Sequence, residues 1–232
     1  MSKINAVKSI WDGFDFTYIL SIVQGIIPAL ICITLHELAH GYTAYLLGDD
    51  TAKLRGRLTL NPLKHLDVMG LLMMLVFHVG WAKPVPVNMY RFKNPKRGMA
   101  VTALAGPVSN ALIAVLFMFL FGAAYIPLCS SRTGVFVLEM MQMTVYVSIG
   151  LGIFNLIPVP PLDGSKVLFS LMDNQRYYKL MRYEKYGSLL MLALVASGVI
   201  GRPLSTAISS VFSSMEPVAQ FGVTLVYNLF YK

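Results

Sequence analysis

The sequence has few charged residues for its length. Only 13% of its 232 residues are Asp, Glu, Lys or Arg, whereas 56% are hydrophobic; soluble domains carry about 25% charged and about 45–50% apolar residues. This imbalance excludes an ordinary water-soluble enzyme. It also excludes an intrinsically disordered chain, because disordered segments are poor in apolar residues. The composition predicts an α-helical polytopic membrane protein.

Cysteine and acidic residues are also scarce. The two cysteines, Cys32 and Cys129, both lie in apolar stretches, so no disulfide framework is predicted. The 11 acidic residues are outnumbered by 19 Lys and Arg, which gives a net charge of +8. In so apolar a chain this excess is typical of basic loops that face a cytoplasmic leaflet. We therefore expect a lipid bilayer as the surroundings and no nucleic-acid partner.

A membrane-crossing helix needs about 20 consecutive apolar residues. Three stretches meet this length, one is too short with 13 residues, and the two at the C-terminal end are marginal. We name them segment A (16–48), segment B (68–80), segment C (99–128), segment D (135–158), segment E (186–201) and the tail (203–231). Together they predict about four to six transmembrane helices.

The basic residues are concentrated in three loops. The loops after segment A, before segment C and after segment D hold 14 of the 19 Lys and Arg residues. Positive loops stay on the cytoplasmic side, which requires segment B to enter the membrane and return as a re-entrant segment. The alternative, from charge alone, is that segment B is a short tilted span.

Segment A contains the motif His36-Glu37-Leu38-Ala39-His40. On a helix, residues four apart share one face, so both imidazoles can bind one metal ion while Glu37 acts on a metal-bound water. Ionisable residues inside a membrane segment are costly and mark function by default. The motif predicts a zinc site.

A catalytic zinc usually has three protein ligands and an open position for water. The candidate third ligand is Asp163, in a proline-rich stretch (158–164) after segment D that cannot continue the helix. On spacing alone, a simple turn explains this stretch equally well. His40 lies about 12 Å of helix before the basic end of segment A, and a re-entrant segment B puts Asp163 on the same side. We therefore expect the site near the cytoplasmic face.

These motifs resemble the site-2 protease family of intramembrane zinc metalloproteases. The likeness covers most of residues 35–168 and is closest to the short bacterial and archaeal members that lack accessory soluble domains. One departure is Val68, where that subgroup often has proline after the His-x-Asp. The motifs that carry the resemblance are 36–40, Gly48-Asp49, 56–62, 65–67, 80–88, Ala105-Gly106-Pro107 and the element from Asn155 to Gly164.

The resemblance implies a reaction and a place for it. His36, His40 and Asp163 would hold one zinc ion per chain, Glu37 would be general base and acid, and Asn155 would bind the substrate carbonyl or the oxyanion. The reaction would be peptide-bond hydrolysis in a transmembrane protein or peptide, as in regulated intramembrane proteolysis, in the plasma membrane of a prokaryote. Nothing in the sequence indicates or excludes a homo-oligomer.

Residues 84–88 are expected to be extended, because a residue before proline avoids the helical region. An extended segment can pair with a substrate unwound into a strand, although a rigid connector explains it equally. The five residues are Pro84, Val85, Pro86, Val87 and Asn88.

Several polar side chains near these motifs have two interpretations. His65 and Asp67 are candidates for a second-shell hydrogen bond or proton path, or they are ordinary loop residues. Asn110 supports the site or only packs between helices. For His78, in segment B, we favour a packing or interfacial role.

We expect one membrane-embedded domain over 1–232, with a catalytic core over about 16–168, C-terminal helices over 186–231 and short extended or β elements near the site. Two other functions remain open from sequence. One is a non-proteolytic membrane binding or assembly protein with a structural metal, against which the intact Glu37 argues. The other is a transporter, but a second intramembrane acidic cluster is lacking.

Overall fold

The computed structural model describes residues 16–67, 70, 82–183 and 186–231. Within these ranges the chain is mostly helical, and the only β feature is an isolated antiparallel bridge between Leu66 and Ala82. Two short 3-10 helices, Pro62–Lys64 and Met89–Arg91, lie between the α-helices that end at Leu54 and begin at Pro95. The α-helices are α1 (Phe16–Leu46), α2 (Thr51–Leu54), α3 (Pro95–Leu128), α4 (Arg132–Leu156), α5 (Asp163–Ser170), α6 (Asn174–Tyr183), α7 (Gly187–Ala196), α8 (Gly201–Ser214) and α9 (Glu216–Phe230).

Three of the described helices are long and apolar enough to cross a membrane. They are α1 from Ile22 onward, α3 and α4. A fourth span is present if α7 and the stretch from α8 through α9 together form a single broken span. The bend between these two parts is 83°. This confirms the expected helical membrane architecture, while the count of four to six crossings stays a prediction. Segment B, with His78, lies outside the described residues except for Gly70.

Helices α3 and α4 begin three or four residues before the apolar segments C and D. α3 begins at Pro95, where the Asn94 side chain accepts a hydrogen bond from the Arg97 N–H. α4 begins at Arg132, where Ser131 caps the Gly134 N–H at 3.0 Å. Capping side chains, and proline in the first turn, favour these starts. Hydropathy alone misses them because the first turns are polar.

The α3–α4 pair forms the centre of the fold. The two helices make an antiparallel hairpin with a short connection, and α1 packs against both. A buried apolar cluster joins them to the start of α9; it comprises Ala114, Met118, Val145, Ile149 and Met215. α5 packs against α3, which brings the residues after segment D next to the end of α1 and the start of α3.

The C-terminal helices fold back onto this hairpin. Gly198, with a φ of +71°, lies in the turn between α7 and α8, a conformation that glycine adopts without strain. α9 then crosses α3 at Gly122 and Gly222, where a Cβ on Gly122 would lie 1.9 Å from the Ala219 carbonyl oxygen. Small residues permit this close backbone contact between membrane helices.

Candidate metal centre

Three side chains from two distant parts of the chain converge on one point. His36 and His40 lie one turn apart on α1, and Asp163 is the first residue of α5. The two Nε2 atoms are 3.0 Å apart, and Oδ2 of Asp163 lies 3.3 Å from His36 Nε2 and 3.1 Å from His40 Nε2. All three residues are buried. The structure thus brings together the three residues that the sequence suggested as ligands.

The size of this triangle suits a zinc ion. Ligands at about 2.0–2.1 Å from a tetrahedral zinc lie about 3.3 Å from one another, close to the three observed separations. Two imidazoles and a carboxylate are also a common donor set for zinc. Among the described residues, this is the group of His, Cys, Asp and Glu side chains with ligand geometry. His36, His40 and Asp163 therefore have the donor atoms and the spacing that a zinc ion requires.

Asp163 also contacts a cation on its other side. Its Oδ1 lies 3.7 Å from Nζ of Lys166, one turn later on α5. Burial raises the pKa of the Asp163 carboxyl, but hydrogen bonds with His36 and His40 and the charge of Lys166 lower it by more, so the pKa falls below its usual range. The carboxyl is therefore ionised at neutral pH, as metal binding requires.

The backbone of α3 orients His40. The Nδ1–H of His40 donates to the Thr102 carbonyl oxygen at 2.7 Å, which directs Nε2 toward His36 and Asp163. Gly106 makes this approach possible, because a Cβ there would lie 2.5 Å from His36 Cε1 and from His40 Cε1. From sequence, Gly106 was named only within the Ala105-Gly106-Pro107 motif, without a role at the ligands, and Thr102 was not named. The Ala105-Gly106-Pro107 motif was the available signal.

The Glu37 side chain reaches the extended segment 84–88, which precedes α3. Its Oε2 accepts a hydrogen bond from the Val85 N–H at 2.8 Å. Glu37 and Val85 both line a cavity of about 570 Å³, together with the three candidate ligands. This volume lies within the range of about 300–1,000 Å³ that is usual for ligand-binding cavities.

Asn155, near the end of α4, lines the same cavity. Its Nδ2 donates one hydrogen bond to the Leu151 carbonyl oxygen at 3.0 Å. An amide nitrogen carries two N–H groups, so one donor remains beyond this bond. Lys166 and Met181 also line the cavity, and sequence reasoning singled out neither as a site residue.

The remaining predicted residues, His65, Asp67 and Asn110, are not part of the cavity lining. His65 is fully buried; its Nε2–H donates to the Thr59 carbonyl oxygen at 2.9 Å, and its Nδ1 has no partner among the described residues. Asp67 accepts from the Gly70 N–H at 2.9 Å. Asn110 is fully buried, and its side-chain amide has no partner in the described ranges. None of the three lines the cavity.

The chain is similar to known proteins along most of its length. The family profile described as Peptidase family M50 matches residues 128–198. The Bacillus subtilis protein named "Putative zinc metalloprotease YwhC" is 40% identical over 73% of this chain and 78% of its own. A Mycolicibacterium smegmatis protein named "Putative zinc metalloprotease Rip2" is 30% identical over 75% of this chain and 66% of its own. No solved structure gives a significant match.

Proposed function

The chain belongs to Peptidase family M50, the site-2 protease family, and on that premise we propose that it hydrolyses peptide bonds of membrane-spanning substrates as an intramembrane zinc metalloprotease. The observation that carries the proposal is the buried triangle of His36 Nε2, His40 Nε2 and Asp163 Oδ2, with Glu37 next to His36 on α1. A structural metal does not need a carboxylate base beside it, whereas hydrolysis does.

His36, His40 and Asp163 would hold one zinc ion per chain. Bound there, zinc would supply Lewis-acid chemistry, lowering the pKa of a water molecule and polarising the scissile carbonyl. Glu37 then acts as general base and takes a proton from the attacking water. The new C–O bond forms first. Glu37 then acts as general acid and returns that proton to the nitrogen of the leaving amine, and the C–N bond breaks as the amine departs.

Asn155 is proposed to bind the substrate carbonyl oxygen as negative charge develops on it. One of its amide N–H groups is engaged by Leu151, and the second is the donor this role requires. A fixed donor stabilises an oxyanion most in a site that excludes water. The burial of the neighbouring ligands supports such an environment.

Residues Pro84 to Asn88 are proposed to bind the substrate as an added strand. Val85 and Pro84 line the cavity beside Glu37, and an extended backbone can pair with a peptide that has unwound from its helix. Peptide bonds inside a helix are shielded by their own hydrogen bonds, so cleavage requires such unwinding. This supports a transmembrane substrate class and leaves its identity to experiment.

We further propose that the site opens near the cytoplasmic face of a prokaryotic plasma membrane. The basic loops that support this orientation adjoin the ends of the helices that bear the site. Regulated intramembrane proteolysis is the process that matches a buried hydrolytic site of this kind. The whole chain would act as one membrane-embedded domain.

The test is cleavage of a transmembrane peptide by the purified protein in liposomes. Glu37→Gln keeps the size and polarity of the side chain but removes the base, so activity should fall by about 10²- to 10⁴-fold while zinc content stays at one per chain. Glu216→Gln, the same exchange at the start of α9, is the matched control and should retain activity. Full activity of Glu37→Gln would contradict the proposal and favour a non-proteolytic role.

A further inference from the structure

Main-chain N–H groups are scarce in the extended segment beside Glu37. Pro84 and Pro86 have none. The Asn88 N–H donates to Asp49, with 2.6 Å between N and Oδ2, and the Val85 N–H donates to Glu37. Only the Val87 N–H has no hydrogen bond among the described residues. The Val85 N–H is thus the one main-chain donor of the segment that contacts Glu37, the proposed general base.

The segment is fixed at both ends by buried polar groups. At its start, the Lys83 N–H donates to the His65 carbonyl oxygen at 2.9 Å, and Arg57 donates to the Lys83 carbonyl oxygen at 2.7 Å. At its end, the fully buried Asp49 holds the Asn88 N–H. Asp49 and Arg57 both lie in the loop between segments A and B, and these bonds give each of them a structural role. They leave the backbone around Val85 little freedom to move.

The packing against α1 is equally close at this point. Gly41 lies one turn after Glu37 on the same face of α1, and a Cβ there would lie 2.9 Å from Cγ1 of Val85. The absence of a side chain at Gly41 therefore lets the segment approach the helix. The two prolines restrict the backbone dihedral angles on either side of Val85, so its N–H is presented in one direction.

From these contacts we infer that the main-chain N–H of Val85 is a positioning group for Glu37, an inference that rests on the proposed protease function. By holding Oε2, it leaves Oε1 as the oxygen that receives the proton of the attacking water and returns it to the leaving amine. A fixed carboxylate avoids the reorganisation that a freely rotating one would need in each turnover.

The same bond limits how a substrate strand can pair. Because Glu37 occupies the Val85 N–H, no substrate carbonyl can use that donor. The carbonyl oxygens of Pro84, Val85 and Pro86 accept no hydrogen bond in the described part of the chain. Successive carbonyls of an extended chain point to opposite edges, so a substrate strand donates its N–H groups either to Val85 or to Pro84 and Pro86. The one donor left for a substrate carbonyl is the Val87 N–H. The segment therefore both binds the substrate and orients the base, through different backbone groups.

The experiment compares two substitutions at one position. Val85→Pro and Val85→Ala both lose the branched side chain, but only proline removes the N–H. In cleavage assays with the zinc-loaded protein, kcat of Val85→Pro should lie about 10- to 100-fold below that of Val85→Ala, because a hydrogen bond to a charged group is lost. Val87→Pro removes the unoccupied donor instead, so it should raise KM more than it lowers kcat.

Infrared spectroscopy supplies a readout that does not depend on turnover. The chain has only four glutamates, Glu37, Glu139, Glu184 and Glu216, so ¹³C-labelled glutamate gives few carboxylate bands, and Glu37→Gln identifies the one that belongs to Glu37. That band should shift in Val85→Pro relative to Val85→Ala. If Val85→Pro does not fold, as judged by its zinc content and elution volume, the double variant Pro84→Ala/Pro86→Ala should lower kcat and broaden the same band.

Equal kcat values and an unshifted band in the paired variants would overturn the inference while leaving the protease function intact. A wild-type protein that binds zinc but cleaves no membrane peptide would instead defeat the proposed function. In that case a shifted band would show the hydrogen bond without a catalytic role, so the two failures are distinguishable.

Discussion

Two stretches of α3 use the same buried stripe for different purposes. Residues at every fourth position from Thr102 to Gly122 are buried. Near the candidate metal centre the stripe consists of Thr102, Gly106 and Asn110. Thr102 offers its carbonyl oxygen to His40, and Gly106 has no side chain where the two imidazoles approach. Asn110 has a fully buried side-chain amide. Farther along, Ala114 and Met118 fill an apolar cluster instead. We therefore expect the first stretch to control zinc binding and the second to control stability.

The largest loss of zinc and activity is expected from a substitution at Gly106, where the buried stripe of α3 has no side chain. Gly106→Ala places a methyl group against both imidazoles, at 2.5 Å from His36 Cε1 and His40 Cε1. The ligands must then move, so zinc content should fall and activity should drop by about 100-fold or more. Zinc analysis and peptide cleavage measure this. Gly25→Ala on α1, where a Cβ meets nothing within 4 Å, is the matched control.

A zinc-loaded, active Gly106→Ala protein would show that the close approach of α3 to α1 is not required. That result would remove the distinction between the two stretches of α3. It would leave the roles of His36 and His40 themselves untouched.

The next effect concerns the apolar stretch. Met118→Ala should lower the free energy of unfolding by about 2–3 kcal/mol because it leaves a cavity in the cluster, while zinc content per folded protein stays unchanged. Thermal unfolding in detergent micelles provides the measurement. Leu112→Ala, at a position of α3 that is 66% exposed, should have a much smaller effect. Loss of zinc in Met118→Ala would mean that the two stretches are coupled.

The smallest effect is expected at the edge of the metal centre. Lys166 lies 3.7 Å from Oδ1 of Asp163, on the side opposite the histidines. Lys166→Met removes this cation, and the zinc affinity should weaken by about 10-fold, as is usual when a partner of a metal ligand is lost. Lys166→Arg keeps the charge and should retain most of the affinity. Equal affinities of the two variants in chelator titrations would mean that Lys166 does not support Asp163.

The candidate ligands could be singled out from sequence because their signals are local. His36 and His40 share a helical face by spacing alone, and the prolines before Asp163 predict an interruption of the helix. Thr102 could not be predicted, because it acts through its carbonyl oxygen and any residue carries one. The bond between Glu37 and Val85 also has no local signal, since it joins residues 48 positions apart.

The architecture shows the same division between local and distant signals. The three long helices follow from apolar length, whereas their starts depend on capping side chains and the crossing of α9 over α3 depends on Gly122 and Gly222. Such glycines are informative only once the helix that approaches them is known. The re-entrant path of segment B stays a prediction.

The central claim is that His36, His40 and Asp163 bind a zinc ion. Zinc K-edge X-ray absorption of the purified protein, combined with metal analysis, tests it most directly. The account predicts one zinc per chain with a shell of nitrogen and oxygen neighbours at about 2.0–2.2 Å that includes two imidazoles, and loss of the metal in Asp163→Ala. Protein that retains no zinc, or a sulfur shell at about 2.3 Å, would contradict it.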